Sequence, residues 1–372
     1  MISDKEYAFP GKIVKELAKK EENCRNSEGS FYRFASGRIV FAYSRYRSGS
    51  GDDGDVCDIA IIESNDDGRT FSNERIIIRA DECNARNIMS VSLLPLKDGR
   101  IAIFYLKKEK GLLCRPFMRT TRDFESFSEE KLCIEEKAYF VMNNDRVKRL
   151  SDGRIVLPVA WYTLEGKEEN VDFHNAWLWK VPRSHGRLYV SNDEGETFSL
   201  AADLEMPFQE IERGLEEPGL EELEDGRLYF YFRNFSGRQL QSISCDGGNT
   251  WSTPTPSRFT SPTSAMYTRR LQDGRIMFLY NPKPLYFGRS ERYGNTWTGG
   301  RNPFVLTVSD GNMRTFDEIR TLEDDESRGF CYCAILETDE AILLGYCAGG
   351  DADNDGLTLT RTRIRRIRKQ DV

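Results

Sequence analysis

The amino-acid sequence predicts an all-β fold made of six repeated four-stranded units, because two short patterns recur along the chain. The first pattern is a glycine-containing turn between two apolar stretches. The second is a loop of the form Ser-x-Asp-x-Gly-x-Thr-aromatic. Turns of this kind between β-forming flanks are typical of hairpins, and a repeat interval of about 50 to 70 residues suits four-stranded units. Helix is expected to be minor.

The turn pattern occurs five times in full and once in a degenerate form. Its Asp-Gly or Ser-Gly pair supplies the positive φ that a tight hairpin needs. The turn glycines are Gly37, Gly99, Gly153, Gly226 and Gly274, and the sixth turn lies at residues 339–342. Hairpins spread from Gly37 to Ala341 leave no length for a second unit, so we predict one domain over residues 1–372.

The loop pattern has three intact copies, which begin at Ser64, Ser191 and Ser244, and weaker copies that begin at Thr121, Ser290 and Ser309. The aspartate of such a loop is placed to accept hydrogen bonds from turn N–H groups, while the aromatic residue packs between strands. We therefore interpret these loops as scaffold and assign them no catalysis.

Composition narrows the classes of function. The chain has 53 Lys and Arg residues against 60 Asp and Glu, and this net charge of −7 argues against a nucleic-acid partner. No apolar run of about 18 residues occurs, so no membrane helix is expected. The first residues lack the features of a signal peptide, so we expect a cytoplasmic protein.

Histidine and cysteine usage narrows the chemistry further. Only two histidines occur, His174 and His185, which leaves acid–base work to carboxylates, tyrosine or lysine. The nine cysteines are scattered and form no CxxC pair, so we expect reduced thiols and neither structural zinc nor a disulfide framework.

One position of the hairpin repeat is mostly polar. Counting nine residues back from each turn glycine, with Ala341 in the sixth place, marks an equivalent point on each inner strand. The residues are Glu28, Ser90, Asn144, Glu217, Ala265 and Tyr332. Strand geometry puts these side chains on one face. Polar groups at the start of apolar strands predict a solvated funnel, and a glutamate and a tyrosine among them make a chemical pair.

The Ser-x-Asp-x-Gly-x-Thr-aromatic loop is the Asp-box, or BNR repeat, and with it the chain resembles the sialidase (neuraminidase) superfamily over nearly its whole length. The resemblance implies a six-bladed β-propeller, closed by pairing of an N-terminal strand with a strand near residues 357–367. It also implies an exo-acting, retaining glycoside hydrolase that removes terminal sialic (nonulosonic) acids from oligosaccharides or glycoconjugates and needs no metal or other cofactor.

The resemblance assigns the central roles residue by residue. Glu217, followed by Pro-Gly-Leu, resembles the base that activates the nucleophile, and Arg233 at the end of the next strand resembles a ligand of the substrate carboxylate. Arg301, eight residues before Ser309, resembles a second such ligand. Tyr332, in the segment Tyr-Cys-Ala-Ile-Leu, resembles the nucleophile.

The acid/base aspartate of the family lies in the loop before the first Asp-box. Counting back from that box favours Asp53, with Asp52 and Asp55 as open alternatives. The further substrate contacts that we predict are Arg45, Glu28, Ser90, Asn144 and Asp145.

One departure from the family pattern concerns blade 1. Sialidases carry an arginine, in an Arg-Ile-Pro segment, at the place where this sequence has Glu28. Arg25 or Arg33 is a candidate substitute. A glutamate beside the substrate carboxylate is repulsive unless it pairs with Arg45, Arg233 or a substrate donor. The departure predicts a divergent member with altered recognition.

Two other functions stay open. A polysaccharide lyase on the same propeller would use Tyr332 as a base and the arginines to neutralise a uronate. A non-catalytic glycan-binding propeller is disfavoured because Glu217, Tyr332 and Asp53 are all present.

Overall fold

The computed structural model describes residues 9–164, 183–285, 292–293, 296–351 and 357–372. The regular structure of these residues is β, apart from two short 3₁₀ helices, Asp81–Cys83 and Lys369–Asp371. No helix in the described ranges is long and apolar enough to cross a membrane. The all-β prediction is confirmed.

The strands form six blades, I to VI; single parallel bridges, Cys57 with Asn87 and Cys114 with Tyr139, link blades I to III into one continuous sheet. The first strand of the chain is β1 (Lys12–Leu17), which belongs to the last blade. Blade I contains β2 (Arg25–Arg33), β3 (Ile39–Tyr46), β4 (Cys57–Ser64) and β5 (Ser72–Ile78). Blade II contains β6 (Asn87–Pro95), β7 (Ile101–Lys108), β8 (Cys114–Thr121) and β9 (Lys131–Leu132). Blade III contains β10 (Tyr139–Val141), β11 (Lys148–Arg149), β12 (Ile155–Tyr162), β13 (His185–Ser191) and β14 (Ser199–Leu204).

The second half of the chain continues in the same way. Blade IV contains β15 (Glu216–Glu222), β16 (Leu228–Arg233), β17 (Arg238–Ser244) and β18 (Thr255–Thr260). Blade V contains β19 (Tyr267–Arg270), β20 (Ile276–Tyr280), β23 (Phe304–Ser309) and β24 (Arg320–Glu323), and a separate small hairpin is made by β21 (Arg292–Tyr293) and β22 (Thr296–Trp297). Blade VI contains β25 (Cys331–Glu337), β26 (Ala341–Cys347), β27 (Thr362–Arg368) and β1.

Each blade is an antiparallel meander, and its first strand is the inner one. In blade III the inner strand is broken into β10 and β11, which both pair with β12. The inner strands also contact one another: β2 lies against β6 and β25, and β19 lies against β15 and β25. Blade III completes the series, because β10 contacts β8 of blade II and β12 contacts β15 of blade IV. Together these contacts close a ring, so the fold is the predicted six-bladed β-propeller.

The ring is closed through blade VI, whose outer strand comes from the other end of the described chain. β1 pairs antiparallel with β27, from Lys12 opposite Arg366 to Leu17 opposite Thr362. Two arginines of the last strand region, Arg361 and Arg363, form ion pairs with Glu16. The predicted closure is confirmed.

Apolar side chains pack mainly between neighbouring blades. One core cluster contains Phe31 and Phe41 from blade I together with Leu343 and Ile364 from blade VI. Another joins strands of blades I and II. Each blade therefore buries its two faces against its neighbours, which holds the inner strands in register around the axis.

Both repeated patterns have the predicted geometry. The five turn glycines have φ between 81° and 94°, and each donates its N–H to the carbonyl three residues earlier. Five of the six Asp-box copies join the third and fourth strands of blades I to V. The copy that begins at Ser290 starts outside the described residues.

The first Asp-box illustrates how the loop is held. Asp66 accepts hydrogen bonds from the N–H groups of Arg69 (3.0 Å) and Thr70 (2.9 Å), and from the hydroxyls of Thr70 (2.7 Å) and Ser64 (2.8 Å). Partial burial acts to raise the pKa of Asp66, but these hydrogen bonds outweigh it and lower the pKa to about 2. The carboxylate is therefore a structural acceptor.

We expect the Asp66→Ala variant to lose about 1–2 kcal/mol of unfolding free energy, because its turn N–H groups lose their acceptor. Urea denaturation measures this loss. Asp66→Asn is the matched control, since its amide oxygen still accepts from the turn, and it should lose clearly less. Equal losses in the two variants would contradict this role of the side chain.

Candidate active site

Four inner strands contain one extra residue at the same place. The register slips by one residue after Ser27 in β2, Met89 in β6, Glu216 in β15 and Cys331 in β25. The residue that follows each of these has positive φ: Glu28 (54°), Ser90 (61°), Glu217 (39°) and Tyr332 (55°). Such β-bulges re-aim side chains and recur beside active sites. All four residues are those that the nine-residue offset predicts.

The remaining two blades depart from the offset. In blade III the residue with positive φ is Asp145 (56°), one position after the predicted Asn144, because the inner strand is interrupted between β10 and β11. In blade V, Ala265 precedes β19 and has no positive φ. The ring therefore has five bulge-like positions.

Tyr332 and Glu217 meet across the axis from blades VI and IV. The Tyr332 hydroxyl donates to Glu217 Oε1 at 2.8 Å. Arg233 Nη1 donates to the same oxygen at 2.7 Å and lies 3.3 Å from the Tyr332 hydroxyl oxygen. Arg233 Nε donates to Thr263 Oγ1 at 3.1 Å, which fixes the guanidinium. The Tyr332 hydroxyl and the Arg233 guanidinium thus both donate to the same oxygen of Glu217.

The protonation states of this pair suit a proton transfer from phenol to carboxylate. Burial raises the pKa of Tyr332 well above its usual value, and the Glu217 charge adds to this, so the phenol is protonated. Burial also acts to raise the pKa of Glu217, but Arg233 and Arg301 outweigh it and hold the pKa below its usual value. Glu217 is therefore ionised and ready to accept the proton.

Arg301 lies on the other side of the tyrosine ring. Its guanidinium carbon is 5.1 Å from the centre of the Tyr332 ring, and its side chain is buried. Arg301 Nη1 donates to the Cys331 sulfur at 3.1 Å. Two arginines therefore flank the nucleophile candidate, as expected from the sequence.

A third arginine reaches the site from the start of β2. Arg25 is buried, stacks 4.4 Å over the Tyr46 ring, and donates to Asp53 Oδ1 at 2.7 Å and to Glu28 Oε2 at 2.8 Å. Its remaining contacts are to Ser27 Oγ and the Gly51 carbonyl, both at 3.0 Å. Arg33, the other candidate substitute, pairs instead with Asp339 at the turn end of the blades.

The geometry separates Asp53 from its two neighbours. Asp53 pairs with Arg25, whereas Asp55 accepts from Ser50 Oγ and the Gly51 N–H, both at 2.8 Å, and so holds the loop. Asp52 is exposed. Of the three aspartates, Asp53 is the one whose carboxylate pairs with Arg25.

The Asp53 loop is tied to the neighbouring blade. Asn87 Nδ2 donates to the Asp53 carbonyl at 3.2 Å, and Lys108 Nζ donates to the same carbonyl. Burial acts to raise the pKa of Asp53, but Arg25 and then Lys108 outweigh it and lower the pKa to about 2. The charge of Arg301, which lies beside the Tyr332 ring, also lowers the pKa of Asp53.

Glu28 is buried and fully engaged by its neighbours. Its Oε2 accepts from Arg25 and from Ser27 Oγ (3.0 Å), and its Oε1 accepts from Ser90 Oγ (3.1 Å). Burial raises the pKa of Glu28, Arg25 opposes this, and Asp53 adds to it. The partner predicted for Glu28 was Arg45 or Arg233, whereas the structure gives Arg25.

The structure does not bring Arg45, Asn144 or Asp145 into the cluster as substrate contacts. Arg45 points to the opposite face of β3 from Tyr46 and pairs with Glu74 and Glu22. Asn144 is buried and donates to the carbonyls of Gly29 (2.7 Å) and Tyr332 (3.3 Å).

Asp145 is likewise buried and braces the inner strands. It accepts from Ser30 Oγ at 2.6 Å, from the Ile335 N–H at 3.3 Å and from the Tyr267 hydroxyl. Asn144 and Asp145 therefore support the bulges rather than line the opening.

Three contacts of the site have only a weak signal, or none, in the sequence. Arg25 was one of two candidate substitutes, with Arg33. Alternation along β3 puts Tyr46 on the face opposite Arg45, where its ring packs against Arg25, and this favours Arg25. Thr263 and Cys331 gave no signal, because their roles depend on which strands become neighbours. His185 bonds Asp203 at 2.7 Å and makes an edge-to-face contact with Trp161, outside this cluster. His174 lies outside the described residues.

Comparison with known proteins agrees with the fold. The family described as "BNR repeat-like domain" matches residues 146–344. No curated protein matches the chain in a sequence search. Among solved structures, a protein of unknown function from Dyadobacter fermentans has a similar fold, with a TM-score of 0.70. The two sequences are 16% identical, and the match covers 96% of this chain and 99% of that one.

Two sialidases are also similar in structure. The Hadza microbial sialidase Hz136 has 15% identity and a TM-score of 0.71, with 97% of this chain and 69% of that one covered. The Trypanosoma rangeli sialidase bound to 2,3-difluorosialic acid has 14% identity and a TM-score of 0.66, with 95% and 59% covered. Because the family match spans more than half of the sequence, the chain belongs to the BNR repeat-like domain family, and it has the β-propeller fold that sialidases share.

Proposed function

We propose that the protein is an exo-acting, sialidase-like glycoside hydrolase that releases terminal sialic (nonulosonic) acids with retention of configuration. The observation that carries the proposal is the shared contact of Tyr332, Glu217 and Arg233, with Arg301 beside the tyrosine ring. Tyrosine nucleophiles of this kind are the sialidase exception among glycoside hydrolases.

The charge of the substrate explains why a tyrosine suits this reaction. A sialic acid carries a carboxylate on its anomeric carbon, so an anionic nucleophile is repelled and a neutral phenol is not. Glu217 removes the phenol proton as Tyr332 attacks, which offsets the high pKa of the phenol. Arg233 and Arg301 hold the carboxylate by charge-assisted hydrogen bonds.

Asp53 supplies the proton for the leaving oxygen and later deprotonates the water that releases the product. In the free protein this carboxylate is ionised, because Arg25 is paired with it. A substrate carboxylate that enters the site adds a like charge near Asp53 and competes for the arginines, and both effects raise the pKa of Asp53. Substrate binding thus favours the protonated, donating form.

A fluorogenic α-sialoside tests the proposal directly. We expect release of the fluorophore by the full chain, and by NMR the α-anomer of the sugar as first product. Absorbance of an unsaturated uronate, measured on uronate-containing polysaccharides, would instead favour the lyase. Inactivity on every nonulosonic acid tested would overturn the hydrolase assignment.

Replacement of the nucleophile gives the sharpest test of mechanism. We expect Tyr332→Phe to reduce kcat by at least about 10³-fold, because the attacking oxygen is gone while the ring and its packing remain. Circular dichroism and thermal melting check that the fold persists. Tyr43→Phe is the matched control, because the Tyr43 hydroxyl bonds Glu74 outside the site, and it should retain activity. Undiminished turnover by Tyr332→Phe would contradict the assignment.

The Arg25–Asp53 pair predicts a pH effect of definite sign. Arg25 lowers the pKa of Asp53, so Arg25→Gln should raise that pKa toward or above its usual value of about 3.9, since burial remains. Because Asp53 acts as the acid, the descending limb of kcat against pH should move upward by about one unit or more.

Two further variants control this prediction. Arg25→Lys keeps a cation beside Asp53 and should leave the limb closer to that of the unmodified protein. Arg45→Gln removes an arginine that pairs with Glu74 outside the cluster and should not move the limb. An unchanged pH profile in Arg25→Gln, with the fold intact, would show that Asp53 is not the acid.

A further inference from the structure

Two thiols face each other directly behind the nucleophile candidate. Cys331 in β25 and Cys347 in β26 are opposite partners in the antiparallel register, and both are buried and unbridged. Opposite residues of antiparallel strands have Cα atoms about 4.5–5.5 Å apart, which lies within the range that a disulfide spans.

This pair is distinct from the other cysteines. All nine lie in the described ranges, and in the strand registers there no other cysteine is opposite a cysteine. Cys245 is the one exposed thiol, on the third Asp-box. The opposed thiols therefore occur only where the inner strand carries Tyr332.

Cys331 also contacts the machinery of the site. Arg301 Nη1 donates to its sulfur at 3.1 Å, and Tyr332 is the next residue in the chain. Burial acts to raise the pKa of Cys331, but the Cys347 hydrogen bond and the Arg301 charge outweigh it and lower the pKa, whereas the pKa of Cys347 is raised. A cysteine of lowered pKa opposite a second thiol can be oxidised to a disulfide, and because both thiols are buried the oxidant must be as small as hydrogen peroxide.

We infer that Cys331 and Cys347 form a reversible disulfide on reaction with a peroxide, and that this disulfide switches off the site. The Cys331 sulfur attacks hydrogen peroxide, the O–O bond breaks, and a sulfenic acid and one water result. The Cys347 sulfur then attacks the sulfenic sulfur, the S–S bond forms, and a second water leaves. The two thiols lose two electrons and two protons in total, and a dithiol reductant reverses the change by exchange.

The effect on the site follows from the two contacts of Cys331. Formation of the disulfide draws the Cys331 sulfur toward Cys347, so its 3.1 Å contact with Arg301 Nη1 is disturbed. The new S–S bond also constrains the backbone of Cys331, the residue before the Tyr332 bulge, relative to β26. Misplacement of a reacting group by about 1 Å can cost 10²-fold in rate, so a loss of at least about tenfold in kcat is expected. This consequence, unlike the disulfide itself, rests on the proposed function.

The experiment uses the full chain, reduced and then exposed to hydrogen peroxide, with remaining thiols blocked by iodoacetamide. We expect peptide mass mapping to find one disulfide, between Cys331 and Cys347, and α-sialoside hydrolysis to fall at least about tenfold and to return with dithiothreitol. Cys331→Ser removes the sulfur that peroxide attacks, so peroxide should form no disulfide in this variant and should not lower its activity further. Cys245→Ser should respond as the unmodified chain does.

Three results would overturn the inference. The first is absence of this disulfide in the peroxide-treated chain, and the second is its formation without loss of activity. The third is an equal proportional loss of activity in peroxide-treated Cys331→Ser, which would indicate damage elsewhere. Mapping needs no substrate, so a chain that forms the disulfide reversibly but hydrolyses no sialoside would refute the proposed function and leave the thiol pair standing.

Discussion

Four of the inner strands contain one residue more than the strands with which they pair. The extra residue makes a β-bulge, and the site depends on these bulges because they direct its side chains. Each bulge puts a residue other than glycine into positive φ, a conformation that costs about 1–3 kcal/mol. Glu28, Glu217 and Tyr332 all occupy such positions. Strain of this size persists only where surrounding contacts hold it, so the chemistry of the site depends on what lies beneath it.

Asn144 and Asp145 provide that support. The Asn144 amide donates to carbonyls in the bulges of blades I and VI, at Gly29 and Tyr332, and so binds two bulges to a third blade. Asp145 accepts from Ser30 and from the backbone N–H of a blade VI residue. Buried polar groups that are bonded in this way rigidify the backbone around them. The scaffold thus holds Tyr332 against Glu217 before any substrate arrives.

The sequence was sufficient to predict the blades, because turn and box chemistry is local. The nine-residue offset also marked Glu28, Ser90, Glu217 and Tyr332 as equivalent positions, since a fixed offset from a turn holds as long as the strand between them is unbroken; that these positions are bulges came only from the structure. It missed by one residue at Asn144, where the inner strand of blade III is interrupted.

What the sequence could not provide were the contacts between strands distant along the chain. The Cys331–Cys347 opposition depends on register. The reach of Arg25 into the site depends on how the start of β2 lies beside the Asp53 loop. Arg45 was expected in the site as a partner for Glu28, from the strand end that precedes the Asp52–Asp55 loop, but alternation along β3 turns it outward.

Arg25 also changes how Glu28 should be understood. The carboxylate occupies the place where the resemblance expects an arginine, yet an arginine arrives from three residues earlier and is shared between Glu28 and Asp53. If Glu28 were neutral, Arg25 would act on Asp53 alone, and the pKa of that acid would fall further. Glu28 therefore weakens the effect of Arg25 on Asp53, because its negative charge offsets part of the Arg25 charge. The proposed acid, Asp53, can then take up a proton more easily. Because Arg25 is already paired with two carboxylates, a sugar that presents a hydroxyl or amine toward Glu28 fits the proposed site better than one that presents a second anion.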